Sequence, residues 1–407
     1  MDGRAGRRRF LGQVGRLLVG GLLPGGLTAT GSLASRMPDR QKKNYTLFLC
    51  GDVMTGRGID QVQRHPSRPQ LHEPYITDAR GYVELAERRN GAIPAPVPPG
   101  YLWGVSLEEL SARHPDARII NLETAVTTSN TWWRGKGIHY RMHPDNVDCL
   151  TAAGIDVCSL ANNHVLDYGY PGLEQTVQVL NRAKLNPVGA GDRYESAWSP
   201  VSLSIPGKGK VWVFALAAGS SGVPPDWDAG PRSAGVNLVD LSPAEADELA
   251  GRAAAVRRPG DIVVISIHWG GNWGYEVPRE QQAFAHRMID TGLVDVIHGH
   301  SSHHPKGIEV YRGRLILYGC GDFINDYEGI EGHDQFRGEL GFMYFPSLDR
   351  EGRLLGLGLV PTRLYRFQVR YADREEGDWL QAMLDREGRR FSTGVQRLGE
   401  RTLRLEF

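Results

Sequence analysis

The sequence predicts an α/β fold in which two mixed sheets pack face to face with helices outside. Three observations predict it. From Ile119 onward, short apolar runs alternate with helical stretches. Pro206-Gly207-Lys208-Gly209 separates two strand-like runs, 201–205 and 210–216, as a hairpin turn would. Two further strand-like runs, 341–345 and 354–360, lie near the C-terminus.

The elements follow in order. Residues 39–44 are a polar linker and the first strand is 45–49. Then come an aromatic loop at 72–75, a helix at 82–89, and a passage at 93–100 too rich in proline for regular structure. Ser106 with Glu109 reads as a capping box opening a short helix. Strands near Ile119, Val157 and Val188 alternate with helices at 147–153 and 173–183. Ser242-Pro243-Ala244-Glu245 supplies an N-cap, a proline at the first helical position and an acid at the third, so a helix runs from there to about Arg257. Strand 262–267 is next, then a helix from Pro278 that stops near Gly292, a suitable C′ residue. Strands 294–297 and 315–317 precede the two C-terminal strands, and 378–386 is a last surface helix.

The 407 residues divide into a targeting segment and linker at 1–40, a body at 44–372 with a variable insertion at 57–117, and a C-terminal helix and tail at 373–407. Arg7-Arg8-Arg9-Phe10-Leu11, a weakly apolar stretch at 14–27 and small residues at 28–35 resemble a twin-arginine export signal. The expected location is therefore periplasmic or extracellular, with the twin-arginine machinery as a partner. Pro24 and several glycines break the apolar stretch, so no stable membrane span is expected. The 47 basic and 47 acidic residues balance, which gives no reason to expect nucleic acid as a partner. The four cysteines show no CxxC spacing and are read as buried thiols.

Five short motifs carry the chemistry: Cys50-Gly51-Asp52, Asn121-Leu122-Glu123, Asn162-Asn163-His164, His268-Trp269-Gly270 and Gly299-His300-Ser301-Ser302-His303. Each follows an apolar run, at a strand end, where ligands from several strands of an α/β sheet converge. Taken singly, each has a plainer use. Asp52 can cap a turn, Glu123 can pair with an arginine, and Asn162-Asn163 can form a turn. Together, Asp52, Glu123, Asn163, His268, His300 and His303 make an oxygen-and-nitrogen donor set suited to one or two divalent ions, manganese, iron or zinc. His164 is the candidate acid or phosphate donor, with Asp167 to orient it. Alternation along 294–298 points His298 away from the site, and His304 is left to packing or support. Lys136, His139, Arg141 and His143 form a basic loop that can hold an anionic substrate, and Asp326-Tyr327-Glu328 can line the same mouth.

In this order the motifs resemble the CapA family of poly-γ-glutamate capsule proteins, a branch of the calcineurin-like metallophosphoesterases. The resemblance spans about Leu47 to Tyr371 and includes Gly51-Asp52-Val53-Met54 and Tyr318-Gly319-Cys320-Gly321-Asp322-Phe323. It implies a four-layer αββα sandwich with the site at strand ends. It also implies metal-binding roles for Asp52, Asn163, His268, His300 and His303, a bridging role for Glu123, and a catalytic role for His164. Two positions depart from the pattern. Met54 stands where the phosphoesterase pattern has histidine, and Asp322 where the family often has asparagine. Asp322 is assigned to the substrate side, with metal support as the alternative. The expected function is metal-dependent hydrolysis of a phosphoester or a γ-glutamyl amide. The competing expectation is non-catalytic binding, assembly or export of an anionic capsule polymer.

Overall fold

The computed structural model describes residues 44–407; the twin-arginine segment lies outside them. A ten-stranded mixed sheet and a seven-stranded mixed sheet dominate the fold. Among the described residues no helix is long and apolar enough to cross a membrane.

Tyr45–Val53 is the hub of the larger sheet. Its apolar residues are buried on both faces, as expected of a central strand. It runs parallel to Ala117–Leu122, which runs parallel to Val157–Ser159. Along its other edge it pairs antiparallel with Leu340–Leu348 and then, at its C-terminal end, parallel with Asp322–Ile324. Gly51 makes that last pairing possible. A Cβ there would sit 1.9 Å from the Gly321 carbonyl oxygen, and the Asp52 amide donates to the same oxygen at 2.9 Å. Gly51→Ala is therefore expected to destabilise the protein by about 3 kcal/mol, read as a lowered urea midpoint at unchanged slope.

In the smaller sheet, Gly209–Ala218, Ile262–His268 and Val296–His300 are neighbouring parallel strands. Alternation divides the faces of Ile262–His268. Val263, Ile265 and Ile267 pack in a core with Leu249 of helix Pro243–Val256 and Phe284 and Met288 of helix Arg279–Asp290. Ile262 and Val264 pack instead in the core that holds Leu47, Leu49 and Ile119 of the larger sheet. Ser266 and His268 continue that second row, so the inter-sheet face ends in polar side chains. Tyr45–Val53, Ala117–Leu122 and Val157–Ser159 run parallel in one sheet, and the three strands named in the other also run parallel, so within each set the C-terminal ends collect at one edge.

The hairpin forms between Val201–Ile205 and Gly209–Ala218, with Gly207 at φ +76°. Ser242 Oγ accepts from the Glu245 amide at 3.3 Å, and Gly292 has φ +74° after its helix. The capping box at Ser106 does not form. Turns from Tyr101 run straight into helix Ser106–Arg113, so the Ser106 amide already donates to the Trp103 carbonyl. Ser106 Oγ is left without a partner, while Glu109 turns to Arg113 and Tyr371. The last helix is longer than expected, Arg374–Gly388, because Asp373 and Glu376 form a capping box one turn earlier. All four cysteines are unpaired and buried.

Candidate metal centre

Asp52 sits opposite Asn121 on one side and Asp322 on the other, all three at strand ends of the larger sheet. It is fully buried. Its Oδ1 accepts from Asn121 Nδ2 at 2.8 Å and its Oδ2 from the Ser301 amide at 3.1 Å. Burial, with the neighbouring Asp322 carboxylate, pushes its pKa up to about 7. Asn121 Nδ2 also reaches Glu123 Oε2 at 3.3 Å. Glu123 is buried and its carboxyl is pushed well up, first by burial and then by Asp52 and Asp322.

The smaller sheet supplies the imidazoles. His268 and His300 are cross-strand neighbours, and their Nδ1 atoms lie 2.9 Å apart. His300 Nε2 meets Ser266 Oγ at 2.9 Å, and His268 Nε2 meets Asn163 Oδ1 at 3.1 Å. Burial is the largest cause holding both rings well below the usual histidine range, with neighbouring histidines adding to it. Donor atoms of Asp52, His268 and His300 lie within 4.8 Å of one another, as do those of Asp52, His303 and Asp322. Buried carboxylates beside neutral imidazoles suit a divalent cation: the charge that would be costly to bury alone is compensated when the ion binds.

His164 stands beside this set. Its Nδ1 lies 2.6 Å from Asp167 Oδ2, and its Nε2 lies 3.8 Å from Glu123 Oε1. The Tyr140 amide donates to the same Asp167 oxygen at 2.7 Å. Lys136 Nζ bonds Asp167 Oδ1 and the Asn163 carbonyl, and lies 3.3 Å from His164 Nδ1. Burial drives the His164 pKa down to about 4 despite Asp167. Burial also opposes ionisation of Asp167, but His164 and Lys136 outweigh it and hold the carboxyl low. Glu123, Lys136, Asn163, His164, His268 and His303 share one cavity of about 210 Å³. A larger hollow of about 450 Å³ between Tyr101 and Arg370 contains none of these groups.

Several expected placements need correction. Arg141 does not face the cavity; its guanidinium binds the Ser129 and Arg68 carbonyls and Asn130, under the Tyr168 ring. His139 is buried with Nε2 on the Trp133 carbonyl, and His143 caps a turn. Asp322 is buried and does not line the cavity. His303 Nδ1 contacts its Oδ1 at 2.9 Å, and Asn325 donates to its Oδ2 at 2.8 Å. Asp326 pairs with buried Arg57, and Glu328 caps the Arg366 and Phe367 amides, so of that trio only Tyr327 reaches the cavity. His298 lies on the same strand face as His300, two residues along, and not on the opposite one. It spends Nε2 on the Cys50 carbonyl at 2.7 Å. His304 packs against Tyr275 and Phe336 and accepts from the Gly274 amide.

Two residues not counted among the ligands from the sequence organise the centre, and one of them, Asn162, makes the turn expected of Asn162-Asn163. Asn121 joins Asp52 to Glu123. Asn162 donates to Asn121 Oδ1 at 3.0 Å and accepts from the His164 and Val165 amides. The signal for Asn121 was its period-two spacing from Glu123, which puts both on one face.

These shifts give the cation-free protein a defined pH response. Asp52 binds a proton in the native state that it does not hold unfolded, so its contribution is lost as pH rises through about 7. His164, His268 and His300 stay neutral when folded but charge when unfolded below about 6.5, so theirs is lost as pH falls. Melting in chelator should peak near neutrality, and adding manganese should raise Tm most on the alkaline side. A cation-free Tm that climbs steadily to pH 8.5 would contradict the charge balance described here.

Comparison with known proteins covers most of the chain. Residues 46–327 match the family described as bacterial capsule synthesis protein PGA_cap. A Mycobacterium tuberculosis protein described as a probable polyglutamine synthesis accessory protein is 47% identical over 354 residues, covering 86% of this chain and 93% of that protein. The capsule biosynthesis protein CapA of Bacillus anthracis is 30% identical over 299 residues, covering 70% of this chain and 61% of that one. The PGA biosynthesis protein CapA of Bacillus subtilis is 30% identical over 278 residues, covering 68% and 62%. With most of its length matched in this way, the chain belongs to the bacterial capsule synthesis protein family PGA_cap.

Proposed function

We propose that this chain is an exported, metal-dependent hydrolase of an anionic cell-envelope substrate, either a phosphoester or a γ-glutamyl amide of a polyglutamate-type polymer. One observation carries the reading: His164, Glu123 and His268 line the same cavity, beside buried ligand sets that share Asp52. A divalent manganese, iron or zinc ion held there would lower the pKa of a bound water and polarise the scissile centre. Asp52, Glu123, Asn163, His268, His300 and His303 would hold it. Asp167 fixes the His164 ring through Nδ1, leaving Nε2 as the nitrogen that meets the reacting group and moves a proton there. His164 and Lys136 keep Asp167 ionised, and Lys136 lines the cavity wall paired to that carboxylate.

On this reading the two sheets and the helices on their outer faces make the four-layer sandwich of the metallophosphoesterases. Residues 1–40 serve as the export signal, 44–372 as the catalytic body with 57–117 inserted, and 373–407 as its C-terminal addition. A second reading is favoured by the relatives' descriptions, which speak of synthesis and not cleavage. In it the protein binds or helps assemble the polymer, and the metal is structural.

The test is elemental analysis of the purified chain, followed by a screen of the metal-loaded protein against nitrophenyl phosphoesters and γ-glutamyl peptides. Turnover on either class supports the hydrolase. Tight polyglutamate binding without turnover of either class favours the assembly role.

A further inference from the structure

We infer that Asp322 is a metal ligand: with Asp52 and His303 it forms a second cation site beside that of Asp52, His268 and His300. This rests on the metal-dependent reading above and adds to it a ligand and a stoichiometry.

Backbone register brings the two carboxylates together. Asp52 and Asp322 are direct partners across parallel strands, held there by the close approach of Gly51 to Gly321. Their oxygens and a ring nitrogen of His303 fall within 4.8 Å of one another, and all three side chains are buried. Asn325 holds one Asp322 oxygen at 2.8 Å, which fixes the carboxylate while leaving Oδ1 toward His303. A second shell of this kind is how ligating carboxylates are oriented. Met54, two residues past Asp52, offers only a buried thioether, to which Tyr327 OH points at 3.7 Å. A thioether is a poor ligand for a hard cation. His303 and Asp322 provide the nitrogen and oxygen donors that Met54 does not.

Charge leads to the same assignment. Lys136 is committed to Asp167, so the two cancel. Asp52, Glu123 and Asp322 remain as three buried carboxylates. One divalent ion against these three leaves the floor of the cavity with a net negative charge, which repels an anionic substrate. Two divalent ions leave a net positive charge, which attracts it. Placing Asp322 on the substrate side would set a carboxylate against an anion; placing it on a cation removes that conflict.

The experiment uses the full chain, stripped with chelator and reloaded with manganese alone. Manganese per chain is measured by elemental analysis and low-temperature electron paramagnetic resonance. The wild type is expected to hold two ions with an exchange-coupled spectrum. Asp322→Leu and His268→Ala are each expected to hold one, with an isolated six-line signal. Should Asp322→Leu not fold, Asp322→Asn keeps the shape and is expected to weaken the second ion by about 100-fold. Two coupled ions retained at unchanged affinity in Asp322→Asn overturn the inference. So does a wild type with one ion that Asp322 substitutions leave alone; the hydrolase reading survives that result. A wild type that takes up no manganese overturns both.

Discussion

Asp52→Ala is expected to empty the centre and lower turnover by roughly a thousandfold or more, a loss of about 4 kcal/mol in transition-state stabilisation. Asp52 belongs to both ligand sets, so its loss removes a donor from each. Its carboxylate also accepts from Asn121 and from the Ser301 amide, which ties a strand end of the larger sheet to the loop after His300. The variant should bind neither ion, and added manganese should not rescue it. Stability in chelator should move the other way. An uncompensated buried carboxylate that burial pushes up to about 7 is costly at pH 8, and removing it relieves that cost. The cation-free variant should therefore melt no lower than the cation-free wild type at pH 8, and metal should no longer raise its Tm. A variant that keeps its metal would remove the foundation of the proposed chemistry.

The second large effect is expected from His164→Ala. Turnover should fall by about 10²- to 10⁴-fold while metal content stays at the wild-type value. His164 is placed by Asp167 at 2.6 Å and by the Asn162 side chain, which accepts from its amide at 3.0 Å; neither contact passes through the ligand sets. Asp167→Asn should lower kcat less, because the ring stays in place while its tautomer is no longer enforced. Measuring kcat alongside metal per chain separates a reacting group from a ligand. Loss of metal in His164→Ala would reassign the residue to the ligand set.

Strand-end histidines and carboxylates were readable in the sequence because alternation and parallel strands make convergence a property of the chain's rhythm. His268 and His300 are the clear case: His268 ends the apolar strand Ile262–His268, His300 ends Val296–His300, and those strands pair directly. Asp322 was harder to place. The strand that carries it, Asp322–Ile324, is three residues long and exists because two glycine backbones approach closely, which no apolar pattern records. Arg141 failed for another reason. Lys136 and Arg141 are neighbours in sequence, but the loop between them turns, so one ammonium enters the cavity while the other cation ties down loop carbonyls. Ser106 had the residue types of a cap without the backbone state, because the preceding turns had already taken up its amide. Local chemistry was legible; contacts set by a distant segment's backbone were not.

The four buried thiols have a consequence for where such a chain can mature. None is paired, and burial pushes each thiol up, away from the reactive thiolate. No covalent cross-link has to form before the native state is reached, and none of the four thiols is exposed to oxidation afterwards. The described fold is complete with all four thiols reduced, so reaching it calls for no oxidant.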